Sequence, residues 1–189
     1  VIVGIGQGYT LVTPMQLAQA VSTLANNGVA MRPHLVKTIQ PYHGPAQPLP
    51  PIKMDEVALN PDNVAIVRAG MVNVTQPGGT AASVGAGSSY SIAAKTGTAQ
   101  VVGIKQGAKY NAGALDERHR DHALFVAYAP AEDPKIAVAV IVENGGHGGS
   151  AAGPIARKVM DYYLLGKVPN AEVIDPKKAS EPVEDAPHD

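Results

Sequence analysis

The chain has 189 residues, a formal net charge of -1 and a hydrophobic fraction of 45%, which is enough for one domain with a substantial core. The balanced charge, the single Phe and the lack of Trp argue against a nucleic-acid or anionic-membrane surface. The lack of cysteine excludes disulfides and thiolate metal sites, and no apolar run reaches the length of a membrane span.

The first residues, Val1-Ile2-Val3-Gly4, include neither an initiator methionine nor a signal peptide. We therefore expect the chain to be a piece of a longer protein. Residues 1–12 are rich in glycine and predict a loop or a short extended segment, and their glycine spacing does not match a dinucleotide-binding loop.

A first helix is predicted from Thr13 as N-cap, Pro14 at the first helical position and Gln16 completing a capping box. Asn27-Gly28 predicts its end, with Gly28 in a left-handed conformation. Helical spacing predicts the buried positions: Leu17, Ala18, Val21, Leu24 and Ala25.

Residues 29–39 predict a strand that Pro33 confines to a sheet edge or bends. Residues 40–54 contain five prolines and predict an exposed loop. Asn60-Pro61 predicts the start of a second helix, which ends at residues 76–80 and is followed by a Gly/Ser-rich approach over residues 78–91. The buried stripe of this helix is predicted at Val64, Val67, Met71 and Val74.

The most informative stretch is residues 93–101, where apolar residues on both sides of a polar centre predict a strand. Alternation places Lys95 and Gly97 on one face and Thr96 and Thr98 on the other. A glycine inside a strand marks the close approach of a ligand or of another backbone. The cation and the hydroxyls therefore predict a strand edge that holds a carboxylate and an acyl carbonyl.

The remaining chain predicts a polar loop at 103–121, a hairpin and a last helix. Two runs at 123–129 and 135–143, apolar on both faces, form the hairpin. Ser150 is predicted to cap the helix, with Pro154 in its first turn and Gly166 at its end. Its inner stripe is predicted at Ile155, Val159, Tyr162 and Tyr163. Residues 169–189 predict a disordered tail, which leaves residues 1–168 as the ordered unit.

This order of elements predicts an α/β fold of the α+β type, in which helices sandwich an antiparallel sheet. The motif strand belongs to the core of the sheet, and the last helix packs across one face.

The segment Lys95-Thr96-Gly97-Thr98-Ala99 resembles the Lys-Thr-Gly motif of penicillin-binding proteins. Residues 6–9 and 13–18 resemble the segment that precedes this motif in class B enzymes, and residues 142–150 resemble the last strand and loop of the penicillin-binding protein 2 branch. The resemblance runs from about residue 5 to residue 166. It implies the C-terminal part of a penicillin-binding/β-lactamase-like transpeptidase fold.

The resemblance also implies a peptidoglycan D,D-transpeptidase that crosslinks stem peptides through a serine acyl-enzyme and is acylated by β-lactams. Lys95 would line the groove and assist proton movement. The hydroxyls of Thr96 and Thr98 would bind the terminal carboxylate, the Thr98 N–H would donate to the oxyanion, and Gly97 would leave room for the peptide. No metal or organic cofactor is implied.

The family nucleophile, the serine of Ser-x-x-Lys, and the Ser-x-Asn motif find no match in this chain. We expect both upstream of Val1, in an N-terminal half of the same protein, so this piece alone should be inactive. The resemblance further implies an upstream inner-membrane anchor, a periplasmic catalytic domain and membrane partners of the cell-elongation complex.

Two alternatives stay open on the residues alone. One is a D,D-carboxypeptidase or β-lactamase of the same fold, in which water replaces the amine, and the other is a non-catalytic sensor that binds β-lactam or peptidoglycan.

His147 lies among glycines, which favours a turn over a ligand contact or an anion site. His119 and His122 are three apart in a charged loop, which favours a solvated loop over a metal site.

Overall fold

The computed structural model describes residues 11–103, 111, 113 and 115–168. The predictions for residues 1–10, for most of 104–114 and for the tail 169–189 lie outside these residues. In chain order the elements are α1 (Pro14–Ala25), β1 (Val29–Met31), β2 (Thr38–Ile39), β3 (Gln47–Pro48), β4 (Lys53–Glu56), α2 (Pro61–Asn73), α3 (Ala82–Gly85), β5 (Ala93–Ala99), a 3-10 turn (Glu117–His119), β6 (His122–Ala129), β7 (Ile136–Val142) and α4 (Gly148–Leu165).

The central sheet has the order β5-β6-β7 and is antiparallel throughout. This confirms the hairpin formed by β6 and β7. The motif strand β5 lies at an edge of this sheet, which corrects its predicted place in the sheet core. Helices cover both faces, and two buried clusters result. The cluster on the α4 side includes Ala94, Phe125, Ala127, Ala152, Ala156 and Met160, and the one on the α1 side includes Ala25, Met71, Ala93 and Tyr128.

Helix α1 begins as the sequence predicts. The Thr13 hydroxyl accepts from the Gln16 N–H at 3.2 Å, and the Gln16 side chain accepts from the Thr13 N–H at 2.8 Å, so the capping box is complete. The helix ends at Asn26, and Gly28 follows with φ 94°. A Cβ at Gly28 would lie 2.2 Å from the Val57 carbonyl oxygen, so space as well as dihedral angle requires glycine. Of the predicted stripe, Ala25 is buried and the larger residues are half-buried.

Helix α2 is capped by the Asn60 side chain, as predicted, through hydrogen bonds from two backbone N–H groups at 2.9 and 3.1 Å. Met71 is buried and Val64 and Val74 are half-buried, but Val67 is 49% exposed, so the predicted stripe is interrupted at Val67. Arg68 lies next to this position. Its guanidinium donates to the carbonyls of Leu24 and Ala25, each at 2.8 Å. These bonds supply a side-chain donor to the last turn of α1, where the helix itself provides too few N–H donors.

The segment predicted as a bent strand and a loop contains four short strands. β1 pairs with β4 and β2 pairs with β3, in two separate two-stranded sheets. The loop prediction for residues 40–54 is therefore wrong at β3 and at the start of β4, although these residues are exposed as expected. Prolines are tolerated because every strand of a two-stranded sheet is an edge strand.

Helix α4 departs most from the prediction. It begins at Gly148 with His147 as N-cap, not at Ser150, so Pro154 lies in the second turn. Its buried face consists of Ala152, Gly153, Ala156 and Met160, whereas Ile155, Val159, Tyr162 and Tyr163, the predicted inner stripe, are 43–62% exposed. The physical reason is space, because a Cβ at Gly153 would lie 2.6 Å from the Val84 side chain.

The end of α4 follows the prediction, since Gly166 adopts φ 65° as its C-cap.

Among the described residues, none of the helices combines the length and the apolar character needed to cross a membrane.

Candidate active site

The free edge of β5 carries the candidate site. Within the described residues, β5 is bonded to β6 on one side and has no strand on the other. Lys95 is exposed on this strand, and Thr96, Gly97 and Thr98 are half-buried. The motif therefore lies open at a sheet edge and is not covered by packed side chains.

Lys95 stays close to the strand that bears it. Its Nζ donates to the carbonyl oxygen of Thr96 at 2.6 Å. An ammonium group has three donors, so this contact leaves two for a ligand. The exposed position supplies a positive charge at the open edge without the cost of burial.

Thr96 lies on the sheet face covered by α4. It pairs across the sheet with Phe125, which belongs to the buried cluster on that side. Its hydroxyl lies 3.3 Å from the hydroxyl of Thr80, in the connection between α2 and α3. Thr80 was not predicted as a site residue, because its neighbours in the sequence carry no signal for a contact with a residue 16 positions along the chain.

Gly97 is held between its sheet neighbour and the start of α4. A Cβ at Gly97 would lie 3.2 Å from the Cβ of Leu124, so the hairpin itself already restricts this position. A Cβ at Gly148 would lie 2.7 Å from the Gly97 carbonyl oxygen and 2.0 Å from that of Leu124. A Cβ at Gly149 would lie 2.6 Å from the Thr80 carbonyl oxygen. Two successive glycines thus allow the first turn of α4 to lie against the motif strand.

This arrangement gives the edge a positive electrostatic character. The amino-terminal end of a helix carries a partial positive charge, and α4 directs this end toward Thr96 and Gly97. Lys95 adds a full charge on the same strand. Together these groups favour an anion, such as a carboxylate, at the edge of β5.

A polar network fastens α4 to the segment that leads into β5. The Tyr90 hydroxyl donates to Asp161 at 2.7 Å, and Arg157 donates to the same carboxylate at 2.9 Å and to the Val84 carbonyl at 2.6 Å. Burial opposes ionisation of Asp161, but these two donors outweigh it and hold its pKa below the ordinary value. Burial and the Asp161 carboxylate raise the pKa of Tyr90. The tyrosine is therefore a neutral donor at physiological pH.

His147 occupies the N-cap of α4 as part of a turn, as the sequence favoured. Its side chain makes no capping hydrogen bond, whereas its carbonyl accepts from the Ser150 hydroxyl at 3.2 Å. Asn144 and Gly146 in the same turn have φ values of 57° and 76°.

The loop histidines do not come together as metal ligands. His119 lies 3.9 Å from Asp116, and Nδ1 of His122 accepts from the Asn144 N–H at 2.9 Å. In the part of the chain that the structure describes, no three His, Cys, Asp or Glu residues are grouped to bind a metal.

A cavity of about 450 Å³ lies elsewhere, between the end of α1 and the β6–β7 connection, where Arg68 and Glu132 line it. None of the motif residues lines this cavity. We place the candidate site at the edge of β5 because the cation, the hydroxyls and the open backbone meet there.

Known proteins resemble this chain over most of its length. Residues 2–161 match the family described as the penicillin binding protein transpeptidase domain. The peptidoglycan D,D-transpeptidase MrdA of Haemophilus influenzae is 45% identical over 176 residues, which cover 90% of this chain and 26% of that protein.

Solved structures show the same likeness. Pseudomonas aeruginosa PBP2 in complex with WCK 5153 has a TM-score of 0.69 and 47% identity, over 93% of this chain and 36% of that one. The imipenem acyl-enzyme complex of penicillin-binding protein A from M. tuberculosis has a TM-score of 0.66 and 32% identity, over 86% of this chain and 33% of that one.

The chain thus spans about a quarter of the curated relative and about a third of the solved chains. The match nevertheless extends across β5, the hairpin and most of α4. The chain belongs to the penicillin-binding protein transpeptidase domain family.

Proposed function

We propose that this chain forms one wall of the active site of a peptidoglycan D,D-transpeptidase. A serine hydroxyl would attack the carbonyl of a D-Ala-D-Ala stem peptide, forming an ester and releasing the terminal D-Ala. An amine of a neighbouring strand would then attack the ester, which forms the crosslink and frees the serine. The observation that carries this proposal is the open, positively charged edge of β5, which presents the family motif.

Lys95 and Thr96 would act on the substrate through charge and hydrogen bonding. Lys95 is exposed and has donors to spare beyond its contact with the Thr96 carbonyl. It would attract the anionic peptide and assist proton movement near the serine. The Thr96 and Thr98 hydroxyls would receive the terminal carboxylate, or the carboxylate of a β-lactam.

The Thr98 N–H is our candidate for one oxyanion donor. The Thr96 carbonyl accepts from the Lys95 side chain, which places this carbonyl on the open side of the strand. Residues two apart in an antiparallel strand direct their backbone groups to the same side. The N–H of Thr98 would then also face the open edge, where negative charge develops on the substrate carbonyl.

Gly97 would keep this edge accessible to an extended peptide. The Leu124 contact gives the glycine a role in packing, and the absence of a side chain also lets a ligand backbone approach the strand. Both roles can hold at once, because a Cβ that displaced β5 from Leu124 would also shift the backbone that the ligand approaches.

The nucleophile, the Ser-x-x-Lys lysine and the Ser-x-Asn motif would come from an N-terminal half of the same protein. We place that protein at the periplasmic face of the inner membrane, with membrane proteins of cell elongation as partners. Residues 1–168 of this chain would belong to the catalytic domain.

The test uses the longer protein, expressed with the sequence that precedes Val1. Incubation with a fluorescent penicillin should give a label that survives denaturation, because the serine ester is covalent. Substitution of Lys95 by Gln should reduce labelling. A protein that never retains the label would overturn the transpeptidase proposal and favour a non-catalytic sensor.

A second measurement separates transfer from hydrolysis. The same protein is given a stem pentapeptide and a peptidoglycan amine acceptor, and products are identified by mass. Crosslinked dimers support the transpeptidase. Tetrapeptide alone, or rapid turnover of penicillin, would instead identify a D,D-carboxypeptidase or a β-lactamase.

A further inference from the structure

The contact between Thr80 and Thr96 links the motif strand to a residue outside the motif. The two hydroxyl oxygens lie 3.3 Å apart, and either could be the donor. The backbone of Thr80 lies close to the start of α4, because a Cβ at Gly149 would lie 2.6 Å from the Thr80 carbonyl oxygen. The lack of a side chain at Gly149 therefore lets Thr80 lie beside Thr96.

Each threonine hydroxyl has one hydrogen and two acceptor lone pairs. If Thr96 donates to Thr80, its hydrogen is used and cannot reach a ligand carboxylate. If Thr80 donates to Thr96, the Thr96 hydrogen is free, and the accepted bond makes that hydrogen a stronger donor. A bound carboxylate selects the second arrangement, because it can only accept.

We propose that Thr80 is a positioning residue that donates to Thr96 and so directs the Thr96 hydroxyl toward the substrate carboxylate. The inference rests on the proposed function, since it needs a carboxylate-bearing ligand at the β5 edge. Thr80 does not touch the ligand and acts only through Thr96. Its contribution should therefore depend on both the Thr96 hydroxyl and the charge of the ligand.

The experiment measures the second-order rate of acylation of the longer protein by benzylpenicillin and by its methyl ester, which lacks the anionic carboxylate. Thr80→Val keeps the shape of the side chain and removes the hydroxyl. We expect the rate with benzylpenicillin to fall about fivefold, the size of one net hydrogen bond. The rate with the methyl ester should stay unchanged, and Thr80→Ser should restore the first rate.

Two controls separate positioning from a general effect on structure. Ser83→Ala removes an exposed hydroxyl nearby in α3 and should leave both rates unchanged. In a Thr96→Val background, Thr80→Val should have no further effect on the rate with benzylpenicillin, because the residue that transmits its effect is gone. Thermal melting verifies that each variant is folded. If Thr80→Val is not folded, Thr80→Ala is used in its place.

The outcomes distinguish a failure of the proposed function from a failure of the inference about Thr80. A wild-type protein that is not acylated overturns the proposed function and this inference with it. A wild-type protein that is acylated, with Thr80→Val unchanged, overturns the inference alone. If Thr80→Val lowers the acylation rate equally with benzylpenicillin and with its methyl ester, Thr80 acts on packing and the inference is overturned. The same holds if Thr80→Val lowers the rate with benzylpenicillin by the full factor in the Thr96→Val background.

Discussion

Replacing Gly148 by alanine tests whether the first turn of α4 must lie directly on the motif strand. The added Cβ would lie 2.0 Å from the Leu124 carbonyl oxygen and 2.7 Å from the Gly97 carbonyl oxygen. Both are backbone atoms of paired strands, so neither can rotate aside as the end of a long side chain would. Either the helix moves away from the sheet or β5 and β6 shift.

The size of the effect follows from two opposing terms. Overpacking a close-packed region costs about 1–3 kcal/mol, and a clash with backbone on two strands belongs near the upper end. Alanine regains roughly 0.5–1 kcal/mol over glycine within a helix. We therefore expect a net loss of about 2 kcal/mol, which lowers the Tm by at most about 4–8 °C, because the shift falls as the cooperative unit grows beyond about 150–250 residues.

Gly70→Ala is the matched control. Gly70 lies within α2, and no atom lies within 4 Å of the Cβ that alanine would add. The same chemical change should there raise stability by about 0.5–1 kcal/mol. Thermal and urea unfolding of the longer protein measure both variants. If Gly148→Ala melts at or above the wild-type temperature, the close packing of α4 on β5 is refuted.

Three further predictions concern side chains. Lys95→Gln should slow acylation by penicillin at least about 100-fold and leave the Tm unchanged, because Lys95 is exposed; an unchanged rate would exclude a role in the reaction. Arg68→Met should lower stability by about 2 kcal/mol, measured by urea unfolding, because it removes two hydrogen bonds to carbonyls at the end of α1. Asp161 has a lowered pKa in the folded state, so its contribution is present above the ordinary aspartate pKa and is lost as the pH falls through the folded value. The stability difference between wild type and Asp161→Asn should accordingly stay constant above about pH 5 and shrink as the pH falls below the ordinary aspartate pKa of about 3.9; a difference that stayed constant there too would contradict the network with Tyr90.

The sequence predicted correctly those elements that are determined by residues close to one another in the chain. Thr13 and Gln16 form both halves of the capping box, so their spacing alone located the start of α1. The apolar runs around residues 130–134 located the β6–β7 hairpin for the same reason. The motif strand followed from the apolar residues on both sides of its polar centre, although its place at the sheet edge did not.

Features that depend on contacts between distant parts of the chain could not be predicted from the sequence. The four short strands between residues 29 and 56 depend on pairing partners up to 27 positions apart. Residues 29–39 were predicted as one bent strand, and the prolines of residues 40–54 suggested a loop where β3 and the start of β4 lie. Thr80 reaches Thr96 only because the α2–α3 connection folds back onto β5. Neither pattern is periodic, so neither can be read from neighbouring residues.

The error at α4 shows how the scaffold and the site are connected. Counting large apolar residues favours Ile155, Val159 and the two tyrosines, yet the face that packs on the sheet consists of glycines and alanines with a single large residue, Met160. Small residues bury less apolar area but let two backbones approach more closely. Here that approach places the positive end of α4 against Gly97, beside the charge of Lys95 and the hydroxyl of Thr96. The same glycines that stabilise the packing therefore also set the electrostatic character of the edge, and a substitution that moves α4 outward should weaken anion binding together with stability.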